Sequence, residues 1–440
     1  MSDRLLLERA WVDGAVRDDV LVEVAGGRFT TVAAGVADAA GAAGAERVPG
    51  LALPGLANCH SHAFHRALRG RTQRGSGTFW TWREQMYAVA GRLTPETYHR
   101  LARAVFREMV AAGITTVGEF HYLHHRPGGT PYDDPNAVGL ALADAASEVG
   151  IRLVLLDACY LSSGFGAPPT AVQRRYSDGS AAGWSDRTAQ WRSCVAAGRL
   201  RVGAAVHSVR AVPRGELGAF RGRAPLHVHL SEQPAENDEC RAAYGVTPTR
   251  LLHDAGLLGP GTTVVHATHL TDEDVALLGD SGTTACFCPT TERDLGDGIG
   301  PGRRLLEAGA RLSLGSDSHA VVDLFEEMRA LELDERLATR TRGHWTAAEL
   351  LAAATRHDSL GVDDAGAIAV GQRADLVVLD TASVRTAGTG ADEHTAVFAA
   401  SAADVVRTMV DGRFVWDRDE DGAAQALGNE LAAAIEEVWR

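Results

Sequence analysis

The two ends of the chain share one pattern of apolar and polar positions. Near the N-terminus, LLLERAWVDGAV and VLVEVAGGRFTTVAAG alternate apolar and polar residues and are interrupted by Asp-Gly and Gly-Gly turns, which predicts short β-strands. The same pattern returns at 367–380 and 405–418. Because so few strands cannot bury their own apolar face, we predict that 1–52 plus 362–440 form one small β-sandwich domain.

The middle of the chain, 53–361, alternates apolar segments with segments of helical spacing. Four segments are predicted to be helices: 94–113, 135–149, 186–197 and 271–278. Eight apolar segments are predicted to be buried strands: 51–62, 115–122, 152–160, 201–209, 226–232, 262–270, 283–292 and 311–320. This alternation predicts an α/β fold with a parallel (β/α)8 TIM-like barrel over 53–361.

Two segments are predicted to be loops at the mouth of the barrel. Segment 161–185 is rich in Gly, Ser and Pro, which is typical of a long loop. Segment 70–90 carries Trp80 and Trp82 beside Arg83, and these aromatic neighbours favour a lid over an exposed loop. Either segment is a candidate to close over a bound molecule.

The stretch 51–66, LALPGLANCHSHAFHR, places two histidines after a short apolar run and a Pro-Gly turn. Side chains alternate along an extended segment, so His60 and His62 are expected to point to the same side. Two neutral imidazoles on one side of a strand end make half of a transition-metal site. The pattern H-x-H also occurs as two ordinary polar histidines, so its meaning depends on the rest of the chain.

Polar residues stand at the ends of most predicted strands. In a barrel of this type the chemistry gathers where strands end, at the C-terminal face. Six of the eight predicted strands end in His, Asp or Glu, which is hard to obtain from packing alone. The polar residues at these ends are His60, His62, His121, Tyr122, His207, Arg210, His229, Glu232, His266, His269, Asp317 and His319.

Four of these residues have the composition of a catalytic zinc site. Such a site commonly takes three or four nitrogen and oxygen ligands from the protein and keeps a position for water. The predicted ligands of zinc or another borderline divalent metal are His60, His62, His229 and Asp317. Taken singly, Asp317 is equally well explained as a turn residue and His229 as a core histidine.

Glu232 and His266 are the candidate groups for proton transfer. Glu232 follows His229 by three residues and is predicted to reach a metal-activated water just past the strand. A carboxylate there can accept the proton of the water and pass it to a leaving nitrogen. His266, on the next strand, is predicted to polarise the reacting group or stabilise a tetrahedral intermediate. A carboxylate that merely interacts with a helix dipole is the competing explanation for Glu232.

Charge and composition exclude several classes of binding partner and of catalytic group for this protein. The formal net charge of -14 argues against a nucleic-acid surface. The chain contains no lysine, which excludes a carbamylated lysine between two metals and a Schiff base. No run approaches the ~18 apolar residues of a membrane span, and MSDRLLLERAW lacks a secretory signal. We therefore predict a cytoplasmic protein with no membrane partner, and six reduced cysteines.

The motifs of this chain resemble those of the amidohydrolase superfamily. The shared order is H-x-H, then HxxE, then a single His, then S-D, and the tail AIAVGQRADLVVLD resembles the return of that superfamily into its small β-domain. The lack of lysine matches the mononuclear, deaminase-like branch. Three segments also resemble the formimidoylglutamate deiminases of histidine degradation: FWTWREQMY (79–87), EFHYLHH (119–125) and NCHSHAFHRA (58–67).

This resemblance implies a reaction and a set of roles. The reaction is hydrolysis of N-formimino-L-glutamate to N-formyl-L-glutamate and ammonia by a homodimer, with one divalent metal per subunit, Zn²⁺ or alternatively Fe²⁺. The implied catalytic residues are Glu232, His266 and Asp317. The implied substrate contacts are His65, Arg83, Tyr122, His207 and Arg210. Arg83 and Arg210 suit the two carboxylates of this substrate, whereas His65 stands where the family is expected to have Gln.

Two other functions are compatible with the same sequence. A deaminase of a ring amidine, such as guanine or another purine, would use the same chemistry, but its pocket needs aromatic stacking and amide or carboxylate groups rather than two arginines. A non-catalytic barrel would serve as an assembly or ligand-binding module. The complete set of four predicted ligands together with Glu232 argues against this scaffold function.

Overall fold

The computed structural model describes residues 3–36, 42–73, 77, 79–191 and 200–440. Its strands form an eight-stranded and a seven-stranded sheet. The seven-stranded sheet, called the terminal sheet below, contains β1 (Asp3–Val12), β2 (Ala15–Ala25), β3 (Arg28–Ala33), β4 (Glu46–Pro54), β13 (Leu376–Leu379), β14 (Val405–Val410) and β15 (Arg413–Asp417). The eight-stranded sheet contains β5 (Leu56–Ser61), β6 (Ile114–His121), β7 (Arg152–Cys159), β8 (Arg201–Val206), β9 (Leu226–Leu230), β10 (Thr262–His266), β11 (Thr284–Phe287) and β12 (Arg311–Leu314).

Helices alternate with the strands of the eight-stranded sheet. The α-helices of the described residues are α1 (Phe79–Arg92), α2 (Pro95–Ala111), α3 (Ala137–Val149), α4 (Ala181–Thr188), α5 (Pro234–Tyr244), α6 (Pro248–Asp254), α7 (Asp272–Asp280), α8 (Pro289–Leu295), α9 (Gly302–Glu307), α10 (Leu324–Thr339), α11 (Ala347–Ala354), α12 (Glu393–Phe398) and α13 (Ala423–Trp439). Short 3-10 helices lie at Ala63–Leu68, Gln173–Tyr176, Ala189–Trp191, Arg214–Phe220, His357–Leu360 and Ala402–Asp404.

Three of the four helix predictions are confirmed. Helix α2 begins after Thr94, whose side chain accepts a hydrogen bond from the Thr97 backbone, with Pro95 in the first position. The predicted helices over 135–149 and 271–278 are confirmed by α3 and α7. The prediction over 186–197 is wrong in its start, because α4 begins at Ala181 and a 3-10 helix follows it at Ala189. Residues 192–197 of this prediction lie outside the described residues.

The eight-stranded sheet is a nearly closed parallel barrel. Its strands pair in chain order from β5 to β12, and every pairing is parallel. A parallel bridge between Ser61 and Asp317 connects the two outer strands. Apolar side chains of the barrel strands, such as Val154, Val228 and Leu314, are buried. The predicted fold class, a (β/α)8 TIM-like barrel with a small domain from both chain ends, is confirmed.

Gly315 allows the last barrel strand to approach the first one closely. A Cβ atom at Gly315 would lie 2.8 Å from the backbone oxygen of His60, a distance that real Cβ contacts do not show. The close approach continues in two backbone hydrogen bonds, from Asp317 to His60 at 3.0 Å and from His62 to Asp317 at 3.3 Å. Barrel closure therefore brings Asp317 next to the two histidines of the H-x-H pair.

The predicted strand 51–62 is two strands that belong to different sheets. Strand β4 ends at Pro54 in the terminal sheet, Gly55 follows, and β5 begins at Leu56 in the barrel. The single-strand prediction was wrong because the Pro54-Gly55 turn divides the segment into two strands, each of which pairs in its own sheet. Since only one residue separates the sheets, the domain boundaries at 52/53 and 361/362 stay a prediction.

The terminal sheet combines strands from both ends of the chain in the order β15-β14-β13-β4-β1-β2-β3. The pairing of β4 with β1 is parallel and that of β4 with β13 is antiparallel. Arg152, at the start of β7 in the barrel, donates to Asp375 at 2.5 Å and to Asp411 at 2.6 Å in this sheet. The two sheets are thus joined by covalent continuity and by a partly buried ion-pair group.

Three further sequence predictions have outcomes in the fold. The predicted loop 161–185 contains the 3-10 helix Gln173–Tyr176 and the first residues of α4, so it is wrong over those residues. The five cysteines among the described residues are free and buried, and Cys194 lies outside that part of the chain. In the described part of the chain, no helix has the length and apolar content needed to cross a membrane.

Candidate active site

Four side chains converge at the C-terminal end of the barrel. They are His60, His62, His229 and Asp317, called the candidate metal cluster below, and their potential ligand atoms all lie within 4.8 Å of one another. Asp317 Oδ1 lies 3.4 Å from the Nε2 atoms of both His60 and His62. The Nε2 atoms of His60 and His229 are 3.0 Å apart. The structure brings the four predicted ligands together, while their role as ligands stays a prediction.

Backbone carbonyl groups orient two of these imidazoles. His62 Nδ1 donates to the carbonyl of Phe120 at 2.9 Å, and His229 Nδ1 donates to the carbonyl of His207 at 2.8 Å. Burial lowers the pKa of both histidines well below its ordinary value, so each ring is neutral and its Nε2 carries a lone pair. At His62 this lone pair faces a carboxylate oxygen of Asp317. Two acceptors that face each other fit a cation shared between them.

The carboxylate of the candidate metal cluster is ionised. Burial opposes this charge, but interactions with His60 and His266 hold the pKa of Asp317 well below its ordinary value. Burial lowers the pKa of His60, which favours the neutral imidazole that binds metals. Three neutral imidazoles and one carboxylate form a donor set that suits zinc and other borderline divalent metals. The residues present therefore fit the metal that this donor set implies.

A second group of potential ligands shares Asp317 with the first. It consists of His266, Cys288 and Asp317. Burial raises the pKa of the Cys288 thiol well above its usual value, which disfavours the thiolate that a metal requires. The candidate metal cluster is therefore the better donor set of the two.

Glu232 and His266 lie beside the candidate metal cluster. His266 Nε2 is 3.8 Å from Glu232 Oε1 and 3.8 Å from Asp317 Oδ2. Its Nδ1 is hydrogen-bonded at 3.3 Å to Glu292, a residue of the site that was not predicted from the sequence. Burial alone lowers the pKa of His266, but Glu232, Glu292 and Asp317 raise it well above its ordinary value. The imidazole is thus a cation, held in orientation by Glu292, that can stabilise negative charge.

A cavity of about 580 Å³, including its open mouth, lies next to this group. All five predicted substrate-contact residues line it: His65, Arg83, Tyr122, His207 and Arg210. Residues from the predicted metal and proton-transfer sets also line it: His62, His229, Glu232, His266 and Asp317. The remaining lining residues were not predicted as contacts: Trp82, Met86, Tyr87, Tyr160, Tyr176 and Leu295.

Three histidines at strand ends have other partners among the described residues and do not line this cavity. The ring of His121 packs against His124, with 5.0 Å between ring centroids. His269 Nε2 donates to the carbonyl of Asp297 at 2.8 Å. His319 Nε2 lies within hydrogen-bonding distance, 2.9 Å, of the Ser61 hydroxyl. Their position at strand ends therefore reflects packing of the barrel rim.

His65 occupies the position where Gln was expected. Its Nε2 lies 3.1 Å from the Tyr122 hydroxyl, and its ring meets Trp82 edge-on. Burial lowers the pKa of His65 to about 3, so the ring is neutral at neutral pH. A neutral imidazole offers one donor and one acceptor nitrogen. The position thus keeps the hydrogen-bonding character of an amide without adding a positive charge.

Arg83 and Trp82 belong to a helix rather than to a loop. The predicted loop 70–90 is wrong over its second half, because α1 begins at Phe79 and continues to Arg92. Arg83 Nε donates to the hydroxyl of Tyr87, one turn later, at 2.6 Å. The side chain of Trp80 lies outside the described residues. Helix α1 therefore presents one arginine, Arg83, and two aromatic rings, Trp82 and Tyr87, to the cavity from a regular element.

Arg210 lies between two carboxylates. Its Nη2 is 4.0 Å from Glu232 Oε2, and its Nε is 3.6 Å from Glu236 Oε2. The side chain of Glu236 is 1% exposed, and its oxygens make no hydrogen bond to any described residue. Glu236, in the first turn of α5, was not predicted from the sequence, because Glu232 precedes this helix and no helical spacing connects the two residues. Burial raises the pKa of Glu236, whereas the nearby guanidinium favours its ionised form, so the carboxylate of Glu236 holds Arg210 from one side.

The similarity of this chain to known proteins agrees with this geometry. The model of the amidohydrolase family matches residues 51–415. The chain belongs to the amidohydrolase family. The crystal structure of an amidohydrolase from Brucella melitensis superposes with a TM-score of 0.90 and 30% sequence identity, and the match covers 100% of both chains.

Two curated relatives are deaminases from Pseudomonas aeruginosa. Formimidoylglutamate deiminase is 37% identical over 432 residues, which cover 94% of this chain and 93% of that protein. 8-Oxoguanine deaminase is 31% identical over 402 residues, which cover 87% of this chain and 85% of that protein. Family, fold and donor set together describe a metal-binding hydrolase, an amidohydrolase-type deaminase.

Proposed function

We propose that this protein hydrolyses N-formimino-L-glutamate to N-formyl-L-glutamate and ammonia. The observation that carries this proposal is the presence of two guanidinium groups, Arg83 and Arg210, in the same cavity as Glu232 and the candidate metal cluster. Guanidinium groups bind carboxylates in bidentate geometry, and this substrate has two carboxylates beside one amidine carbon. The 37% identity to a formimidoylglutamate deiminase supports the same substrate.

The candidate metal cluster would hold one divalent cation, proposed to be Zn²⁺ with Fe²⁺ as the alternative. Such a cation supplies Lewis-acid activation, which lowers the pKa of a water molecule from about 15.7 towards about 7. The donor set of three neutral imidazoles and one ionised carboxylate supports this assignment. Asp317 has a second oxygen 3.8 Å from His266, so this carboxylate also assists proton transfer beside the reacting carbon.

Glu232 moves the protons of the reaction. The oxygen of the attacking water bonds to the formimino carbon while the π electrons of the C=N bond move onto the terminal nitrogen. Glu232 takes one proton from the water and gives it to that nitrogen. His266 stabilises the charge that develops at the tetrahedral carbon. The second proton of the water then passes to the same nitrogen, the C–N bond breaks, and ammonia leaves as the carbonyl of the formyl group forms.

The two arginines orient the substrate at opposite ends of its amino-acid part. Arg210 lies 4.0 Å from Glu232, so we assign it to the α-carboxylate, which is nearer to the reacting carbon. Arg83 is tied to Tyr87 and is assigned to the side-chain carboxylate. Neutral His65, Tyr122 and His207 complete the cavity wall as hydrogen-bonding groups.

The proposal also covers the oligomeric state, the cellular location and the metabolic role of this protein. We propose that the enzyme is a homodimer in the cytoplasm and that it acts in histidine degradation. This placement is what the resemblance of the sequence motifs to those of the formimidoylglutamate deiminases implies. Gel filtration with light scattering measures the oligomeric state, and a single-subunit mass would contradict the dimer.

An ammonia-release assay tests the reaction directly. Zinc-loaded enzyme is given N-formimino-L-glutamate, guanine, 8-oxoguanine and a simple amidine in parallel. Ammonia from the first substrate alone, and a loss of about 10²–10⁴-fold in kcat for Glu232→Gln, are the expected results. No ammonia from N-formimino-L-glutamate would overturn the proposal.

A purine deaminase is the second candidate. The 31% identity to 8-oxoguanine deaminase favours it, and the tyrosines of the cavity offer faces on which a purine can stack. Arg83→Met and Arg210→Met separate the two candidates. A KM for the dicarboxylate that rises at least tenfold supports the deiminase, whereas unchanged kinetics with release of ammonia from a purine supports the rival. If the purified protein holds no metal and its stability does not change with a chelator, the result would support a non-catalytic barrel instead.

A further inference from the structure

The 3-10 helix Gln173–Tyr176 is a rigid part of the cavity wall. The backbone carbonyl of Arg175 accepts hydrogen bonds from the backbone of His124 at 3.1 Å and of His125 at 2.9 Å. The buried guanidinium of Arg175 donates to the carbonyl groups of Ala90 and Leu93 at the end of α1. This turn is therefore held between α1 and the segment after β6, and its side chains have fixed positions.

Gln173 ties two of the cavity tyrosines to this turn. Its side-chain amide donates to the Tyr160 hydroxyl at 2.7 Å and to the Tyr87 hydroxyl at 2.9 Å. A third cavity tyrosine, Tyr122, has its hydroxyl 3.1 Å from His65. Each of these three hydroxyls thus has a hydrogen-bond partner within the protein.

The fourth cavity tyrosine, Tyr176, differs from the other three. Its side chain is fully buried, and its hydroxyl has no hydrogen-bond partner within the described part of the chain. Buried hydroxyls in folded proteins are almost always paired, because an unpaired one loses its hydration without replacement. Since this residue lines the cavity, a bound molecule can supply the missing acceptor.

The surroundings of Tyr176 indicate the charge of that molecule. Its ring packs against Tyr122, Tyr160 and Tyr87, at 5.1, 5.5 and 6.3 Å between centroids. Tyr87 in turn accepts the hydrogen bond of Arg83. Burial raises the pKa of Tyr176 far above its usual value, so the hydroxyl keeps its proton and donates. A neutral donor beside a guanidinium suits an anionic oxygen.

We infer that Tyr176 is a specificity-determining residue, whose hydroxyl donates a hydrogen bond to the side-chain carboxylate of the substrate beside Arg83. This inference rests on the proposed function and adds a residue to it. The ring of Tyr176 packs against Tyr87, which holds Arg83, so we assign this hydroxyl to the end of the substrate that Arg83 binds. The 3-10 helix Gln173–Tyr176 thereby selects acids with a second carboxylate.

Tyr176→Phe removes this hydroxyl and nothing else. We expect the KM for N-formimino-L-glutamate to rise about tenfold, because hydrogen bonds to charged groups are stronger than neutral ones, while kcat stays within twofold. With N-formimino-L-glutamine, whose side chain ends in a neutral amide, the KM should change less than twofold. Tyr132→Phe, outside the cavity, is the control and should leave both substrates unaffected. An equal change for both substrates, or none, would overturn the inference.

Thermal unfolding of the enzyme without ligand gives a readout that is independent of turnover. Tyr176→Phe breaks no internal hydrogen bond, so its melting temperature should equal or exceed that of the unmodified chain. Tyr98→Phe is the comparison, because the Tyr98 hydroxyl donates to buried Glu119 at 3.1 Å, and its loss should lower the melting temperature. A fall for Tyr176→Phe as large as that for Tyr98→Phe would show a structural hydroxyl and refute the inference.

The inference and the proposed function fail in different ways. If the unmodified enzyme releases no ammonia from N-formimino-L-glutamate, the proposed reaction is wrong. Calorimetric binding of glutarate, a simple dicarboxylate, then tests Tyr176 alone. Binding about tenfold weaker to Tyr176→Phe supports the carboxylate contact, and equal binding to both chains refutes it.

Discussion

The ion pair between Arg210 and Glu236 leads to a quantitative prediction for Glu236→Gln. The two charges are 3.6 Å apart, and the side chains are 15% and 1% exposed. Coulomb's law with an effective dielectric constant of about 20 gives an interaction of about 5 kcal/mol at this separation. Glu232 remains 4.0 Å from Arg210 in the variant and compensates part of the loss. We therefore expect a destabilisation of about 3 kcal/mol, at the lower end of the range for a broken buried pair.

Thermal unfolding and kinetics measure this effect together. With an unfolding entropy of about 2.1 cal/mol/K per residue, a chain of 440 residues has about 0.9 kcal/mol/K, so 3 kcal/mol corresponds to a fall of about 3 °C in Tm. Because Glu236 holds Arg210 in place, the KM should rise while kcat changes little. Glu326→Gln, which removes the more exposed partner of Arg293, is the control and should change Tm by less than about 1 °C.

A double-mutant cycle decides whether the pair acts as a unit. Arg210→Met alone leaves Glu236 buried without its partner, so the combination with Glu236→Gln should be less destabilising than the sum of the two single changes, by about 2 kcal/mol. Additive effects within about 0.5 kcal/mol would refute the reasoning. An unchanged Tm for Glu236→Gln would do the same.

Two further predictions concern the metal and a buried histidine. Removal of the metal with a chelator should abolish ammonia release and lower Tm, because a ligand at about 100 times its Kd adds about 2.7 kcal/mol of stability. Added Zn²⁺ should restore both the activity and the Tm. A Tm unaffected by chelator would contradict the metal assignment. Burial lowers the pKa of His124 to about 4 from 6.5, so the unfolded chain binds more protons than the folded chain between these two pH values. The free energy of unfolding is therefore unaffected by His124 above pH 6.5 and falls as the pH is lowered towards 4. In His124→Gln the free energy of unfolding should therefore fall less between pH 7 and pH 4 than in the unmodified chain, by roughly 3 kcal/mol. Urea unfolding from pH 4 to 7 measures this difference, and an equally steep fall in both chains would contradict it.

The barrel and its polar rim were predictable because their signals are periodic. Eight apolar segments separated by helical spacing indicate one architecture, and the period of two places His60 and His62 on one side of β5. The convergence of Asp317 with these histidines depends on barrel closure at Gly315, more than 250 residues along the chain. Only the assumption of a closed barrel made that contact predictable.

Other features carry no periodic signal and were missed. Tyr176 belongs to a single turn inside a segment rich in Gly, Ser and Pro, and its position depends on the buried guanidinium of Arg175. Glu292 reaches His266 from a different strand–helix unit, so no local spacing connects them. The start of α1 was hidden because an aromatic run fits a lid loop as well as a helix. Contacts of this kind become visible only in three dimensions.

The single residue between β4 and β5 has a consequence for anyone who would transplant this catalytic scaffold. Gly55 is enclosed so tightly that an added methyl group would stand 2.4 Å from the side chain of Thr115 and 2.9 Å from that of Asp375. The strand that carries the first histidine therefore takes its direction from its predecessor in the neighbouring sheet. A barrel transplanted alone would lack the strand β4 that orients β5. A transplant of this active site should therefore include both sheets.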